Sequence, residues 1–319
     1  MFPIGGYFEW EFPAKSGSSL HPEAVRLNSA RYALEYVLRG ISNLKRIWVP
    51  YFTCEVVLEP LRRLGVGWKF YHINDSLEID LPIELREDEC IVYTNYYGVK
   101  DAYVPQLVEM YGNKLIVDNA QALYCAPIAK HQFYSPRKFI GMPDGGLAIT
   151  DVACDLENLP RGLSFERCSH LLKRIDLGAS GAYGDFLKND DSLSSETISL
   201  MSNLSSRIYD SIDYEHVREA RRKNFEYIHK KLGDSNRLKV PPMDSFACPL
   251  VYPYWSDRDD LKKNLIERKI FVATYWPNVF EWCQPTDLEY ELAEHVVCIP
   301  VDQRYGEEEM NIIVQEILR

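Results

Sequence analysis

The sequence predicts an α/β protein: a mostly parallel sheet flanked by helices in a large part, then a smaller C-terminal α/β part. Three observations carry this reading. Apolar or aromatic runs of strand length recur through the first 150 residues, most of them end in polar residues, and helix-like segments stand between several of them. With 319 residues the chain has enough material for two units, expected as 1–212 and 213–319.

In chain order, LNSARYALEYVLRG shows helical periodicity, with Leu34, Val37 and Leu38 on one face and Asn28 or Ser29 placed to cap its start. RIWVPYF follows as a short strand stopped at Pro50, then CEVVLEPLRRLG as a helix closed by Gly65. WKFYHI, ECIVYTNYYG and KLIVDNAQ read as strands, and VPQLVEMYG as a helix between the last two. FYSPRKFIGMPDGGLAIT supplies an aromatic strand end, a lysine, a glycine turn and a further apolar run.

Residues 156–211 change character, reading as helices joined by irregular segments, and EHVREARRKNFEYIHKKLG is a long charged helix expected to close at Gly233. RLKVPP, ACPLVYPYWS, KIFVATYWP and HVVCIPVDQRY look like the strands of the smaller part, with RDDLKKNLIERK and EEEMNIIVQEILR as its helices.

Composition narrows the function. A net charge of −11 argues against nucleic acid or an anionic membrane as partner, while leaving room for a small anionic ligand held locally. No apolar run approaches the roughly 20 residues that cross a bilayer, and the opening MFPIGGYFEWEFP lacks the pattern of a signal peptide. The eight cysteines contain no C-x-x-C pair, which suits reduced thiols and a cytoplasmic protein, and neither they nor the seven histidines have metal-ligand spacing. A Walker loop and a G-x-G-x-x-G fingerprint are both missing from the sequence, which removes the usual support for ATP or NAD.

In a parallel sheet, ligands bind beyond the carboxyl ends of the strands. That directs attention to Thr53 and Cys54, Tyr97 and Gly98, residues 118–121 and residues 135–138. Asp118 directly after an apolar strand suits a helix or turn cap, and equally a partner for a protonated ring nitrogen. Lys138 alone reads as a solvated cation, or as an amine that forms an imine with an aldehyde cofactor. Together the two residues are able to hold one ring from two sides. The amides at the helix start near Ser29 offer a phosphate cradle, and Ser135 offers a hydroxyl from the side of Lys138. The aromatic runs YPYW and TYWP read as core, or as a stacking surface for a sugar.

The order of VPYFTCEVV, VDNAQAL, FYSPRK and PDGG resembles the DegT/DnrJ/EryC1/StrS family of sugar aminotransferases, from about residue 20 to the C-terminus. The resemblance implies a fold type I transferase using pyridoxal 5′-phosphate, a homodimer, glutamate as amino donor, and a keto sugar, nucleotide-linked, as acceptor in surface polysaccharide or amino-sugar biosynthesis. Lys138 matches the imine lysine. Asp118 and Gln121 match the aspartate motif, with Gln121 lying against the ring's oxygen side. Ser29 and Ala30 fall on the family's phosphate-binding Gly-Thr pair, so the amides remain while the threonine hydroxyl is lost.

The sequence departs from the family pattern at several places. Phe133 stands at the first serine of the lysine motif and Ser135 at its histidine, Asn95 at another histidine, and Cys54 where many relatives stack an aromatic ring on the cofactor. Either Tyr51, Phe52 or Tyr96 is then expected to cover the ring, or the ring is held less tightly. These departures motivate a second reading, a catalytically silent relative that binds cofactor or sugar nucleotide weakly. A sugar dehydratase is disfavoured, because relatives of that kind carry histidine in place of Lys138.

Overall fold

The structure is a computed structural model of the chain, and it describes residues 8–13, 19–151, 158–194, 196–241, 243 and 246–319. The large part runs β1 (Val25–Leu27), α1 (Ala30–Gly40), β2 (Arg46–Pro50), α2 (Leu58–Leu64), β3 (Gly67–Tyr71), β4 (Glu89–Thr94), α3 (Val104–Tyr111), β5 (Leu115–Asn119), β6 (His131–Tyr134) and β7 (Gly146–Ile149). These strands form one seven-stranded sheet in the order β1-β7-β6-β5-β4-β2-β3. Strands β2 to β6 are mutually parallel, and β7 runs antiparallel to both β6 and β1. The mostly parallel sheet predicted from the alternating runs is therefore present.

Both faces of the sheet are covered, which explains why β4 and β5 read as continuous apolar runs: every residue of each is buried. On one face Ile47, Val92, Ile116 and Phe133 pack against Leu34, Val37 and Leu38 of α1. On the other, Tyr93, Val117 and Leu123 join the residues of the smaller part. Helix α1 lies deeper than a one-sided stripe implies, with Arg31 through Leu38 all buried. Its inward Glu35 is tolerated because Arg39 and Arg63 reach it at 2.6 and 2.7 Å.

The chain continues through α4 (Ser169–Ser194), interrupted at Gly178 with φ 73°, then α5 (Asn203–Ser211) and α6 (Tyr214–Leu232). Beyond them α7 (Leu261–Glu267), α8 (Val279–Trp282), α9 (Leu288–His295) and α10 (Glu307–Leu318) surround an antiparallel pair, β8 (Val251–Trp255) and β9 (Val296–Pro300). Among the described residues no helix is long and apolar enough to cross a membrane.

Two local expectations need correction. RLKVPP forms no strand over 237–241, and its last proline lies outside the described residues. KIFVATYWP touches the small sheet through one isolated bridge, Ala273 to Cys298, rather than as a strand. Lys269 is left-handed (φ 64°) at its start, Pro277 lacks an N–H at its end, and Trp276 turns its ring to within 5.1 Å of Phe52 in the large part. Helix α6 closes at Gly233 as expected, with Gly233 as its C-cap at right-handed φ (−58°) and a separate 3₁₀ turn, residues 233–235, after it. Strand β1 escaped the sequence reading because three residues directly before a strong helix give no period to count.

Candidate active site

Register sets the level at which the candidate residues stand. Thr94 of β4, Asp118 of β5 and Phe133 of β6 are in-register neighbours. Ile116 and Phe133 belong to the cluster on the α1 side, so Asp118, two residues past Ile116, emerges on that same face. A buried amide chain locks the strand ends together: Asn95 donates to Asn119 at 3.0 Å and to Asp101 at 2.7 Å, and Asn119 donates to Gln132 at 3.0 Å. Asn95, at the position of a family histidine, thus ties neighbouring strands.

Asp118 is 5% exposed and accepts one backbone N–H, from Ala120, at 2.8 Å. Burial pushes its carboxyl up to about 6, opposed by the Lys138 cation and by the Ala120 hydrogen bond. Lys138 closes a 3₁₀ turn, residues 136–138, just past β6, and is half-buried. Cys54, half-buried at the start of the turn after β2, feels the same two charges: burial raises its thiol, Lys138 lowers it and Asp118 raises it. The structure therefore brings Asp118, Lys138 and Cys54 from three strand ends into one site.

Gln121 follows Asp118 by one turn and is fully buried. Its Oε1 accepts from the Tyr97 N–H at 2.8 Å, which leaves Nε2 as a buried donor without a partner. Tyr97 is left-handed (φ 59°), and the next residue has to be glycine: a Cβ on Gly98 would lie 2.7 Å from the Cys248 carbonyl and 2.9 Å from that of Gln121. Ser135 is buried and accepts, through its backbone carbonyl, from the Lys138 N–H at 3.2 Å.

Ser29 is the N-cap of α1, as its position predicts, yet its side chain makes no capping bond and Oγ is buried without a partner. Ala30 begins the helix. The turn before β7 presses on this point: Gly145 donates to the Asn28 carbonyl at 2.8 Å, and a Cβ on Gly146 would meet the Ser29 carbonyl at 2.2 Å and the Ala30 nitrogen at 2.5 Å. The two glycines of PDGG serve a close approach of β7 to the helix start. A helix N-terminus with an idle hydroxyl is suited to an anion.

The smaller part completes the surroundings. Tyr275 places its ring 5.9 Å from Lys138 Nζ, and burial raises its hydroxyl. Gln303 donates to the carbonyl of Phe139, next to Lys138, at 2.8 Å, and accepts from the buried Arg221 at 3.0 Å. Arg221 also donates to the Pro249 and Leu250 carbonyls and lies 4.6 Å over the Phe139 ring. The three aromatics expected over the cofactor are engaged within the protein. Phe52 and Tyr96 are wholly buried, with the Tyr96 hydroxyl on the Phe52 carbonyl, and Tyr51 stacks on Phe70. Most of YPYW and TYWP is likewise core: Tyr252, Tyr254, Trp255 and Trp276 are buried. Arg304 is engaged with Asp302 at 2.6 and 2.9 Å, and Arg222 stands 3.5 Å from Glu226. Among the described residues no group of three or more His, Cys, Asp or Glu is placed to hold a metal ion.

Tyr275 and Gln303 were not singled out from the sequence. Both come from far along the chain, in the smaller part, and only the resemblance of KIFVATYWP and CIPVDQRY to family segments pointed near them.

No protein-family model matches the sequence, and no curated protein matches it. Solved structures do match its fold. A DegT/DnrJ/EryC1/StrS aminotransferase from Brucella abortus is 17% identical with a TM-score of 0.61, over 92% of this chain and 85% of that one. Spr1654 from Streptococcus pneumoniae, described as a sugar aminotransferase in its PMP form, is 16% identical with a TM-score of 0.65, over 92% and 86%. DesI in the presence of its TDP-sugar product is 18% identical with a TM-score of 0.64, over 92% and 79%. The chain shares the fold of these aminotransferase structures, as the resemblance implied.

Proposed function

We propose that the protein is a pyridoxal-phosphate-dependent aminotransferase that moves an amino group, from glutamate, to a nucleotide-linked keto sugar in surface polysaccharide or amino-sugar biosynthesis. The observation that carries this is Asp118: a buried carboxyl, raised to about 6 by burial against the opposing pull of the Lys138 cation, in a site lined by unpartnered donors. A carboxylate in that state is stabilised by a cation brought by a ligand.

The residues present fit the cofactor. Gln121 Nε2 is a free donor for the ring's oxygen side, Ser29 Oγ at the start of α1 is a free donor for a phosphate, and Asp118 suits a ring nitrogen that must stay protonated. When bound, pyridoxal phosphate supplies an aldehyde for amine exchange and an electron sink. Lys138 would hold the cofactor through its Nζ and, once displaced, would serve as the base for the proton on the amino donor's Cα. Asp118 would hold a negative charge toward a protonated ring nitrogen. The buried Phe52, Tyr96 and Trp276 keep water from the inner wall, and Tyr275 faces the amine. Cys54 lies beside the same ring site as a small, polarisable neighbour.

The neighbouring structures support the substrate class: Spr1654 is described in its PMP form, and DesI with a TDP-sugar product. The unit boundary near 212/213, a cytoplasmic location and a homodimer belong to the same proposal. The dimer is supported by the exposed apolar side chains of α4, Ile175 at 80% and Leu177 at 64% among them.

The test is amine transfer from glutamate to a panel of nucleotide-linked keto sugars, with product amines detected by mass spectrometry. Transfer lost in Lys138→Ala is expected. Cofactor binding without exchange toward any amino acid would instead establish the silent relative.

A further inference from the structure

We propose that Arg137 is a binding residue for the cofactor's phosphate group, supplying a charged N–H to the dianion held at the start of α1. This rests on the reading above. The helix start offers amides and the Ser29 hydroxyl, but position 30 is alanine and position 133 is phenylalanine, so neither side chain adds a donor. A phosphate monoester at neutral pH carries close to two charges, and it favours a guanidinium partner when hydroxyls are missing.

Arg137 stands directly before Lys138 in the same 3₁₀ turn, and its side chain is 15% exposed. One terminal nitrogen reaches Asp190 at 3.1 Å, whereas Nε–H is buried with no partner. A buried, unpaired donor on a charged group is costly, and a ligand oxygen is the economical way to satisfy it.

Its surroundings are held to the helix start on several sides. Asn189, next to Asp190, donates to the Pro143 carbonyl at 3.0 Å, and Pro143 leads into the Gly145–Gly146 turn that packs on Ser29. Arg31, in the first turn of α1, acts on Arg137 as a like charge but is itself satisfied by Glu59 at 2.9 and 3.1 Å. Arg167 pairs with Glu196 and, like Arg137, keeps a buried Nε–H without a partner. Crowding of three arginines is relieved by an anion and aggravated by its absence. Of the two with a free Nε–H, Arg137 adjoins the reactive lysine.

The experiment compares pyridoxal phosphate with pyridoxal, which lacks the phosphate, in titrations of cofactor-free protein followed by the visible band that depends on Lys138. Arg137→Gln is expected to weaken pyridoxal phosphate about ten- to a hundredfold while leaving pyridoxal unchanged, the range for one charge-assisted hydrogen bond. Arg137→Lys is expected to fall between, and it keeps the test open should the glutamine variant fold poorly. Thermal protection of the cofactor-free protein by inorganic phosphate should shrink in parallel.

Unchanged discrimination between the two compounds in Arg137→Gln overturns the assignment. So does an equal loss in Arg167→Gln, which would make the effect one of general charge. Weakened binding of a nucleoside diphosphate with intact cofactor affinity also overturns it, since Arg137 would then serve the substrate. If the wild-type protein shows no Lys138-dependent band with either compound, the aminotransferase reading falls along with it.

Discussion

Two buried aspartates, 26 residues apart, are treated oppositely by the fold. Asp144, fully buried before the Gly145–Gly146 turn, accepts the Ser202 N–H at 2.9 Å, the Ser202 hydroxyl at 2.7 Å and the Ser205 hydroxyl. Asp118, 5% exposed, accepts a single N–H and has its carboxyl pushed up to about 6. The first is a finished hydrogen-bond knot joining the β7 turn to the start of α5. The second is left short of partners, with one backbone N–H on a buried carboxyl. A fold satisfies the polar groups it uses for itself, and those it leaves wanting mark where a ligand belongs.

Breaking the comparison at Asp144 should give the largest effect. Asp144→Ala strands three buried donors, and a loss of about 3–5 kcal/mol is expected, read by denaturant unfolding of the cofactor-free protein. A loss below about 1 kcal/mol would show the knot to be dispensable.

Asp118 should behave in the reverse sense. Its folded pKa of about 6 lies above the ordinary 3.8, so the folded state binds the proton more tightly. The stability this provides is complete below about pH 4 and is lost as pH rises toward and through 6. Two pH units correspond to about 3 kcal/mol at 1.36 kcal/mol each, and Asp118→Asn removes that penalty. In cofactor-free protein the variant is expected to gain about 1–3 kcal/mol at pH 8 and nothing at pH 4, while losing transfer activity. Equal stability changes at both pH values would contradict the burial argument.

The smallest effect is expected at Gln303→Leu. It removes the donor that holds the Phe139 carbonyl behind Lys138 and an acceptor of Arg221, at a cost of about 1–2 kcal/mol. Because the Lys138 turn loosens, turnover should fall by more than affinity for the amino donor, which a kcat against KM comparison would reveal.

What the sequence showed and hid follows from the same physics. The parallel core strands were readable because burial on both faces makes β4 and β5 continuous apolar runs, and Asp118 and Lys138 were readable as polar residues at their ends. The helix start at Ser29 followed from periodicity and capping chemistry. The parts of the site contributed across long sequence separations were not legible. Tyr275 and Gln303 approach Lys138 only after the smaller part docks, and Tyr51, Phe52 and Tyr96 turned inward or sideways because neighbouring rings, which no local pattern records, took up their surfaces. KIFVATYWP had strand-like composition but was spent on contacts with the large part rather than on a ladder.

The central claim is that one amine and one carboxyl serve a single cofactor ring. Borohydride reduction of the protein incubated with pyridoxal phosphate, followed by peptide mass mapping, tests it most directly. The account predicts the pyridoxyl mass on the peptide bearing Lys138, and much less of it in Asp118→Asn at limiting cofactor. Label spread over exposed lysines, or label on Lys138 that is indifferent to Asp118, would contradict it.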